Sequence, residues 1–435
     1  MDSQCFWKAG NDFRCGRTQN HFGFSSFAFP VLSFTFNSLY FDRQPQTGTR
    51  HQNLHYTTSN YMNSNRRDFI RKNVSLAALS LAGINAAAKS YPGNEANTSE
   101  TLPGAGAPKK SRIKIAIQAS PEPTDDNLAF YRQMGLSHAV LWTNESKASA
   151  EYYSSRKKLF ADHGIEVYGF GNTSVHNEEK IVLNLPGRDE KIEQYKKHLR
   201  DLGKAGITYT TYAHMGNGIW DSPKETTRGG APARAFNLNG ENSGRWDQKK
   251  YYGPLSHGRK YTLDEMWANF EYFIKAVVAT AEENNVRIGI HPDDPPVPEL
   301  AGVPRIFSHF NGYKRAIEFA NSPNVGLCLC VGSWMEGGDK LGKNSVEMIE
   351  YFGRQKKIFK IHFRNIDKPL PHFVETFVDD GYTDMYKVMQ ALKKVDFDGV
   401  LIADHIPGMA GGPNTGTAFS IGYIKALRDR VDAES

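Results

Sequence analysis

Two histidines, one cysteine and one aspartate occupy positions from which they could hold a metal ion. His291, Cys330, His362 and Asp404 each lie at or near the end of a short apolar run. Imidazole, thiolate and carboxylate make a donor set of mixed softness, which suits zinc, iron(II), manganese or cobalt better than magnesium or calcium. Each residue alone fits an ordinary structural role, such as a buried thiol in the core. Their recurrence on four consecutive runs instead predicts a metal site.

These runs belong to a regular alternation of predicted strands and helices. Helices are predicted over 189–202, 263–284, 313–319, 345–352 and 385–394, and glycine stands between helix and strand at Gly164 and Gly206. The eight predicted strands are Ile113–Ala119, His138–Thr143, Glu166–Asn172, Tyr209–His214, Arg287–Pro292, Val325–Cys330, Ile358–Ile366 and Gly399–His405. Eight such units predict a single (β/α)8 TIM barrel. An open doubly wound sheet is the alternative, but no glycine-rich phosphate loop follows the first strand.

A barrel would bring the four candidate ligands together, because its active site lies at the carboxyl ends of the strands. Residues two apart on a strand share a face. The predicted inward sets are Gly289 with His291, Cys328 with Cys330, Lys360 and Arg364 with His362, and Ile402 with Asp404. The long polar stretch 217–261 follows the fourth strand on the same face, where barrel enzymes carry their active-site loops.

Two carboxylates directly follow the first ligand. Asp293 and Asp294 stand in the proline-rich run Pro292–Pro296. They are candidates for orienting the metal ligands through hydrogen bonds, and a turn with solvated acids is the alternative.

Several segments resemble the mannonate dehydratase family. The most specific is His-Pro-Asp-Asp-Pro-Pro at 291–296, followed by Gly-Val-Pro-Arg-Ile at 302–306. The other matching segments are Cys330–Ser333, His362–Asn365, Phe373–Glu375, Gly381–Tyr386, Asp404–His405, Leu185–Asp189 and the loop Trp220–Phe236. The resemblance covers roughly residues 113–427.

The resemblance implies a xylose-isomerase-like barrel that uses Mn²⁺ or Fe²⁺. The implied reaction removes water from D-mannonate to give 2-keto-3-deoxy-D-gluconate, which would make the protein a hydro-lyase. His405 would be the catalytic acid/base, and Arg305 and Arg364 are plausible partners for the substrate carboxylate or hydroxyls. Surface ion pairing is the alternative for both arginines, and His214 is a weaker candidate for substrate contact. The implied metal ligands are His291, Cys330, His362 and Asp404.

The C-terminal part departs from the family pattern in two places. The family carries Arg-Pro before Asp-His, where this chain has Ile402 and Ala403. It also carries Pro-Gly-Tyr before the last helix, whose tyrosine is the proton-transfer partner, whereas residues 412–419 contain no tyrosine. Tyr423 falls later and is predicted to lie on that helix. The metal site is therefore expected to be intact, with half of the acid/base pair altered.

Three functions remain open at this point. The first is mannonate dehydration. The second is isomerisation or epimerisation of a sugar or sugar acid at the same metal site, which needs no acid for a leaving hydroxyl. The third is a catalytically degenerate sugar-binding relative.

Composition excludes some partner classes. The chain has 435 residues with a formal net charge of +6 and no compact Lys/Arg block, which argues against a nucleic-acid partner. Cys328 and Cys330 are two apart on a predicted strand, which places their side chains about 6–7 Å apart. A disulfide needs Cβ atoms about 3.5–4.5 Å apart, so both are expected to be thiols. The expected partner is a small sugar acid, and a homo-oligomer is compatible with the sequence.

The N-terminal segment is predicted to direct export. Arg66 and Arg67 precede an uncharged run, 74–88, that ends in three alanines, the layout of a twin-arginine signal. The expected organisation is a leader at 1–61, disordered or a mis-assigned start before Met62, a signal at 62–88, a linker at 89–111 and the catalytic domain at 112–430. The run is too short for a stable membrane span. Periplasmic localisation follows, or cytoplasmic localisation if the arginine pair is fortuitous.

Overall fold

The computed structural model describes residues 110–434. The expected leader and signal, and nearly all of the expected linker, lie outside the described residues. Among residues 110–434, no helix combines the length and apolar character needed to cross a membrane.

Eight parallel strands form the centre of the fold. In the sheet they follow the order β3-β2-β1-β8-β7-β6-β5-β4, and every pairing between neighbours is parallel. The strands are β1 (Lys114–Ala119), β2 (His138–Thr143), β3 (Glu166–Asn172), β4 (Tyr209–Tyr212), β5 (Arg287–Ile290), β6 (Val325–Cys330), β7 (Ile358–Phe363) and β8 (Val400–Ala403). The (β/α)8 prediction is confirmed.

The two end strands of this sheet, β3 and β4, approach each other through a glycine. A Cβ atom added to Gly169 would lie only 2.9 Å from the Tyr209 carbonyl oxygen, closer than real Cβ atoms come. Only a residue without a side chain permits this approach. The sheet is therefore nearly closed into a barrel.

Helices cover the outside of the barrel. Every helix expected from the sequence is present, and three helices begin with a capping box, at Thr124, Thr262 and Asn344. The helices are α1 (Asp125–Gln133), α2 (Ala150–Ala161), α3 (Thr173–His176), α4 (Glu179–Val182), α5 (Arg188–Lys204), α6 (Leu263–Glu283), α7 (Phe310–Ala320), α8 (Val331–Gly337), α9 (Ser345–Arg354), α10 (Met385–Lys394) and α11 (Thr415–Ala433). Short 3-10 turns occupy Arg228–Gly230 and Gly338–Leu341.

The long segment after β4 was predicted only as a polar stretch, but it contains regular structure. It is built of strands only three or four residues long, too short for an alternating pattern to stand out. One of them, Ala235–Asn237, pairs with His372–Thr376 after β7. The other strands of this segment are Ile219–Asp221, Glu225–Thr227, Ala231–Ala233, Ser243–Trp246 and Lys249–Tyr251. Elsewhere in the chain, further short strands are Glu299–Leu300, Val303–Pro304 and Asn365–Ile366. The pairing ties the loop after β4 to the segment after β7.

An irregularity in β7 sets which of its residues face the barrel interior. Leu327 pairs with Ile358 but Cys328 pairs with Lys360, so Phe359 is an extra residue in the ladder. Such a bulge changes the alternation of side chains along a strand. Phe359 packs in the interior cluster with Ala116, Val140, Tyr168, Tyr209, Val400 and Ile402. Beyond the bulge, His362 lies beside Cys330 on the neighbouring strand.

Candidate active site

The four candidate ligands lie at the carboxyl end of the barrel. His291 directly follows β5, Cys330 ends β6, His362 is the last residue but one of β7, and Asp404 directly follows β8. His291, Cys330 and His362 are buried, and the Asp404 side chain is only 9% exposed. Four adjacent strands therefore deliver four donors to one region.

The separations between the donor atoms fit a single ion. His362 Nδ1 lies 3.3 Å from His291 Nε2 and 3.4 Å from an Asp404 carboxylate oxygen. Cys330 Sγ lies 3.9 Å from the same oxygen, and the donor atoms of His291, Cys330 and His362 all lie within 4.8 Å of one another. Metal bonds of about 2.0–2.3 Å in a tetrahedral arrangement space neighbouring donors about 3.3–3.8 Å apart. The cluster is a candidate metal centre of the His/Cys type.

Hydrogen bonds to the far ring nitrogens leave the donor nitrogens free. His291 Nδ1–H donates to the Pro292 carbonyl at 2.7 Å, so Nε2 keeps its lone pair. The arrangement at His362 is reversed, since its Nε2 lies 3.5 Å from Cys328 Sγ while Nδ1 faces the other donors. Cys328 and Cys330 are buried free thiols, as expected.

The electrostatic environment favours the anionic ligands. Burial opposes ionisation of Cys330, but Arg364 and the two ligand histidines outweigh it and hold the thiol pKa well below its usual value. Burial likewise opposes the charge on Asp404, whose pKa is nevertheless held well below normal by His362, His405 and Arg364. A divalent cation would thus meet deprotonated sulfur and oxygen donors.

His405 lies beside this cluster and is paired with a buried glutamate. Its Nδ1–H donates to Glu375 at 2.7 Å, and its Nε2 lies 3.8 Å from Asp404. Burial lowers the pKa of His405, but Asp404 and Glu375 together raise it to about 9. The backbone φ of His405 is +45°, a left-handed conformation that non-glycine residues seldom adopt. The fold thus holds a protonated imidazole in a fixed, strained position next to the ligands.

A buried network of charges surrounds the site. Arg364 donates to Glu336 at 2.8 Å and lies 3.2 Å from Glu375, while Arg234 donates to Asp294 at 2.6 Å and to Glu375 at 2.9 Å. With His405 protonated, the positive charges of Arg234, Arg364 and His405 face the three carboxylates of Asp294, Glu375 and Asp404. An ionised Glu336 would add a fourth negative charge. Burial, and then the charge of Asp294, raise its pKa to about 8.

The two aspartates after His291 occupy different surroundings. Asp294 accepts from Arg234, Arg364 and the Ser333 hydroxyl, and its pKa is lowered despite burial, chiefly by Arg234. Asp294 is linked to the candidate ligand Asp404 through Arg364, which lies 3.4 Å from Asp404. Asp293 instead accepts from the Phe307 amide, and burial raises its pKa to about 6. Only Asp294 is connected to a ligand through the charge network.

Two of the expected substrate contacts are engaged elsewhere. Arg305 is buried, lies 3.6 Å from Asp293 and donates to Asn217 at 2.8 Å, so it braces the start of the long loop. His214 hydrogen-bonds with the Tyr212 hydroxyl, and its ring packs between Phe270 and Phe307. The strand predicted to end at His214 stops at Tyr212, and the side chain of His214 turns outward into the packed layer between barrel and helices. Of the three, only Arg364 lies beside the ligands.

Sequence reasoning missed two residues near the centre. Arg234 lies in the long loop, and its partner Asp294 is distant in the chain, so only folding brings them together. His176 ends the short helix α3, with Nδ1 donating to the Thr211 carbonyl at 2.8 Å. Burial lowers its pKa to about 3, and the nearby charges of His291 and His362 add to the shift. Its place shortly after the end of β3 was the available signal.

The altered acid/base region contains no replacement tyrosine. Tyr423 lies on α11, as expected, where its pKa is raised by burial and then by Asp379 and Asp384. Tyr382 donates its hydroxyl proton to the Met335 carbonyl. Within residues 110–434, no tyrosine hydroxyl hydrogen-bonds with His405 or Asp404.

The fold is a nearly closed parallel barrel whose carboxyl end carries a His/Cys/Asp cluster beside a His–Glu pair. These features define a barrel enzyme with a candidate metal site at its strand ends. The family model for D-mannonate dehydratase matches residues 127–237 and 236–434. The chain belongs to the D-mannonate dehydratase family and is accordingly a hydro-lyase.

Individual relatives agree with this assignment. A mannonate dehydratase of Streptococcus pneumoniae is 32% identical over 269 residues, which are 57% of this chain and 72% of that protein. One from Oceanobacillus iheyensis is 30% identical and covers 67% of this chain and 87% of its own length. The crystal structure of mannonate dehydratase from Streptococcus suis serotype 2 aligns with a TM-score of 0.65 at 26% identity, covering 74% of this chain and 94% of that one.

Proposed function

We propose that this enzyme removes water from D-mannonate to give 2-keto-3-deoxy-D-gluconate, with Mn²⁺ or Fe²⁺ held by His291, Cys330, His362 and Asp404. The observation that carries the proposal is the convergence of these four donors beside His405. The relatives named mannonate dehydratase supply the substrate.

The donor set fits a divalent ion of intermediate softness. Such an ion supplies Lewis acidity, which stabilises the negative charge that develops on the substrate carboxylate when the C2 proton leaves. The residues of the chain must then hold the substrate, donate a proton to the C3 hydroxyl, which departs as water, and accept the C2 proton as the general base.

His405 is suited to the second of these tasks. Its raised pKa keeps the imidazole protonated near neutrality, so that it can serve as a general acid. Glu375 accepts the Nδ1 proton at 2.7 Å, which fixes the ring and leaves the Nε2–H side for the leaving hydroxyl.

Arg364 is the arginine placed to meet the substrate. Its Nε and one terminal nitrogen make no hydrogen bond within residues 110–434, although carboxylates of Asp404 and Glu375 lie 3.4 and 3.2 Å away. We propose that these N–H groups contact a substrate carboxylate or hydroxyl, while the other terminal nitrogen stays bound to Glu336.

The missing family tyrosine favours a second candidate. Isomerisation or epimerisation moves protons but expels no hydroxyl, so it would tolerate the loss of one acid/base group. The two reactions give different products from the same substrate.

Product analysis tests the proposal. The full chain, loaded with Mn²⁺ or Fe²⁺ without air, would be incubated with D-mannonate and the products identified by NMR. We expect 2-keto-3-deoxy-D-gluconate, which has lost one water. An isomeric sugar acid of unchanged mass would support the second candidate instead. The absence of both a product and C2 proton exchange in deuterated water, across hexonates, pentonates and aldoses, would support a sugar-binding relative.

We also propose that the enzyme is exported to the periplasm through its twin-arginine segment at 66–67. A reporter fused after Lys89 should appear in the periplasm, and replacement of both arginines by lysine should retain it in the cytoplasm. A reporter that stays in the cytoplasm with the native arginines would contradict the proposal.

A further inference from the structure

A second cysteine lies behind one of the candidate ligands. Cys328 is fully buried on β6, two residues before Cys330, and its register partner on β7 is Lys360. Its sulfur lies 3.5 Å from Nε2 of His362, within hydrogen-bonding range for sulfur. No step of the proposed reaction uses this cysteine.

The two nitrogens of His362 face different neighbours. Nδ1 lies 3.3 Å from His291 Nε2 and 3.4 Å from Asp404, among the other candidate donors. Nε2 points to Cys328 instead. A neutral imidazole carries one proton, so a metal at Nδ1 requires that proton on Nε2. The Nε2–H group then needs a buried acceptor, and the sulfur of Cys328 is the acceptor in reach.

The geometry points to Cys328 as a positioning residue that accepts the Nε2–H hydrogen bond of His362 and holds the ring with Nδ1 toward the metal. This inference rests on the metal site of the proposed function. Metal-bound histidines generally donate their second N–H to a carboxylate, a carbonyl or water, which fixes the tautomer and the ring orientation. A sulfur atom takes that place here.

The surroundings of Cys328 favour an electron-rich acceptor. Lys360 is fully buried beside it, and the Lys360 Nζ makes no hydrogen bond within residues 110–434. A buried amino group without a hydrogen bond is stabilised by nearby electron-rich atoms. The bulge at Phe359 is what brings Lys360 level with Cys328. The acceptor role holds for the thiol and the thiolate alike, because both offer a sulfur lone pair.

The position of the sulfur also separates Cys328 from the ligand set. It lies on the Nε2 side of the imidazole, whereas the other donors gather on the Nδ1 side. One ion bound at Nδ1 is therefore expected to take sulfur from Cys330 alone.

The test compares variants of the full chain. Cys328→Val removes the acceptor at similar volume, Cys328→Ser keeps an acceptor, and Leu329→Val is a matched control that trims the adjacent core residue. Mn²⁺ affinity would be measured by calorimetry, with the thermal midpoint recorded as a check on folding. We expect affinity to fall about 10- to 100-fold in Cys328→Val, with partial recovery in Cys328→Ser and parental affinity in Leu329→Val.

Two spectroscopic readouts separate positioning from simple packing. In histidine-labelled parent protein, the ¹⁵N shifts of His362 should show a protonated Nε2, assigned by loss of the signal in His362→Gln. The thiolate-to-metal band of the Co²⁺-loaded protein should persist in Cys328→Val and vanish in Cys330→Ala. A proton on Nδ1 of His362, parental affinity in Cys328→Val, or loss of the Co²⁺ band in Cys328→Val would each overturn the inference. Failure of the parent to bind any ion would refute the proposed metal site and the inference with it, whereas a parent that binds Mn²⁺ beside a Cys328→Val variant of parental affinity would refute the role of Cys328 alone.

Discussion

At the scale of single residues, the candidate site depends on imidazole rings that are oriented by hydrogen bonds. Glu375 accepts the Nδ1 proton of His405, and the Pro292 carbonyl accepts the Nδ1 proton of His291. The left-handed backbone of His405 adds to this, since a strained residue persists only where its surroundings hold it in place. The fold therefore fixes the orientation of the imidazole that is proposed as the acid.

Replacing His405 by asparagine should remove the general acid without removing a ligand. We expect kcat to fall by about 10²- to 10⁴-fold, the usual contribution of such a group. Metal stoichiometry should stay at the parental value, because the four donors are untouched. Steady-state kinetics with metal analysis checks both, and an unchanged kcat would exclude His405 as the acid.

Replacing Glu375 by glutamine should produce a smaller fall in kcat than His405→Asn. Glutamine keeps an acceptor oxygen for the Nδ1–H group but loses the charge that supports the imidazolium. Combining the two changes tests whether they act on one step. A double variant no slower than His405→Asn alone is expected, whereas multiplied effects would show that Glu375 acts independently of His405.

The sequence was sufficient to predict that the four candidate ligands converge, and their role in metal binding stays a prediction. It did not predict the surroundings of the other polar residues. Strand parity and residue type identify His291, Cys330, His362 and Asp404, because both are local properties. His214 was predicted to end the fourth strand, but that strand stops at Tyr212, and Phe270 and Phe307 enclose the His214 ring on the outer side. Which polar residues are enclosed depends on distant helices, and local patterns do not encode it.

At the scale of elements, Arg234 connects the loop after β4 to the candidate site through hydrogen bonds. Arg234 bonds to Asp294, Glu375 and the Trp220 carbonyl, and the adjacent strand Ala235–Asn237 pairs with the segment after β7. The loop thereby contributes part of the charge balance around Arg364. The polar stretch 217–261 therefore packs against the candidate active site.

Arg234→Met should be strongly destabilising. It leaves the carboxylates of Asp294 and Glu375 buried with less compensation, at a cost of about 3–5 kcal/mol in the free energy of unfolding. Arg259→Met is the control, since its pair with Glu265 is exposed and the variant should keep the parental stability. Urea titrations of both variants provide the measurement. Equal free energies of unfolding would show that the ion pairs of Arg234 do not stabilise the fold.

Glu336 should make stability depend on pH in a predictable direction. Its pKa is about 8 in the folded protein against a reference of 4.5, so the folded state holds a proton that the unfolded state releases. The stabilising contribution is full below pH 4.5 and is lost as the pH rises through about 8. Parent and Glu336→Gln should therefore diverge in thermal midpoint with rising pH, the parent losing stability relative to the variant. A constant difference from about pH 5 to about pH 9 would contradict a protonated Glu336.

Element boundaries were predicted well where the pattern is long and periodic. The strands His138–Thr143, Glu166–Asn172 and Val325–Cys330 and the helix Met385–Lys394 have the expected ends. The strand expected over 358–366 instead stops at Phe363, and Asn365–Ile366 pairs with another segment. Arg364 lies between the two strands and makes buried ion pairs. These are long-range contacts that the local sequence does not reveal.

At the scale of the whole molecule, closure of the barrel brings the strand ends into one ring. The approach of β3 to β4 at Gly169 leaves no room for a side chain against Tyr209. The (β/α)8 architecture itself follows from the alternation of elements, but the place where the two ends of the sheet meet does not.

Gly169→Ala should weaken this closure. The added methyl group would press on the Tyr209 backbone, and we expect a loss of about 1–3 kcal/mol in the free energy of unfolding. Gly422→Ala is a matched control on α11, where a Cβ would meet nothing within 4 Å. It should stabilise the protein by about 0.5–1 kcal/mol, the usual gain of alanine over glycine in a helix. A neutral Gly169→Ala would show that the strands do not close tightly there.

The most direct test of the central claim is dehydration by the metal-loaded protein. The full chain, purified without air and reconstituted with Mn²⁺ or Fe²⁺, would be assayed for 2-keto-3-deoxy-D-gluconate from D-mannonate, with His291→Ala as control. We expect product that requires the metal and disappears in the control. Stoichiometric metal binding without any product would contradict the claim and show that the site serves another substrate.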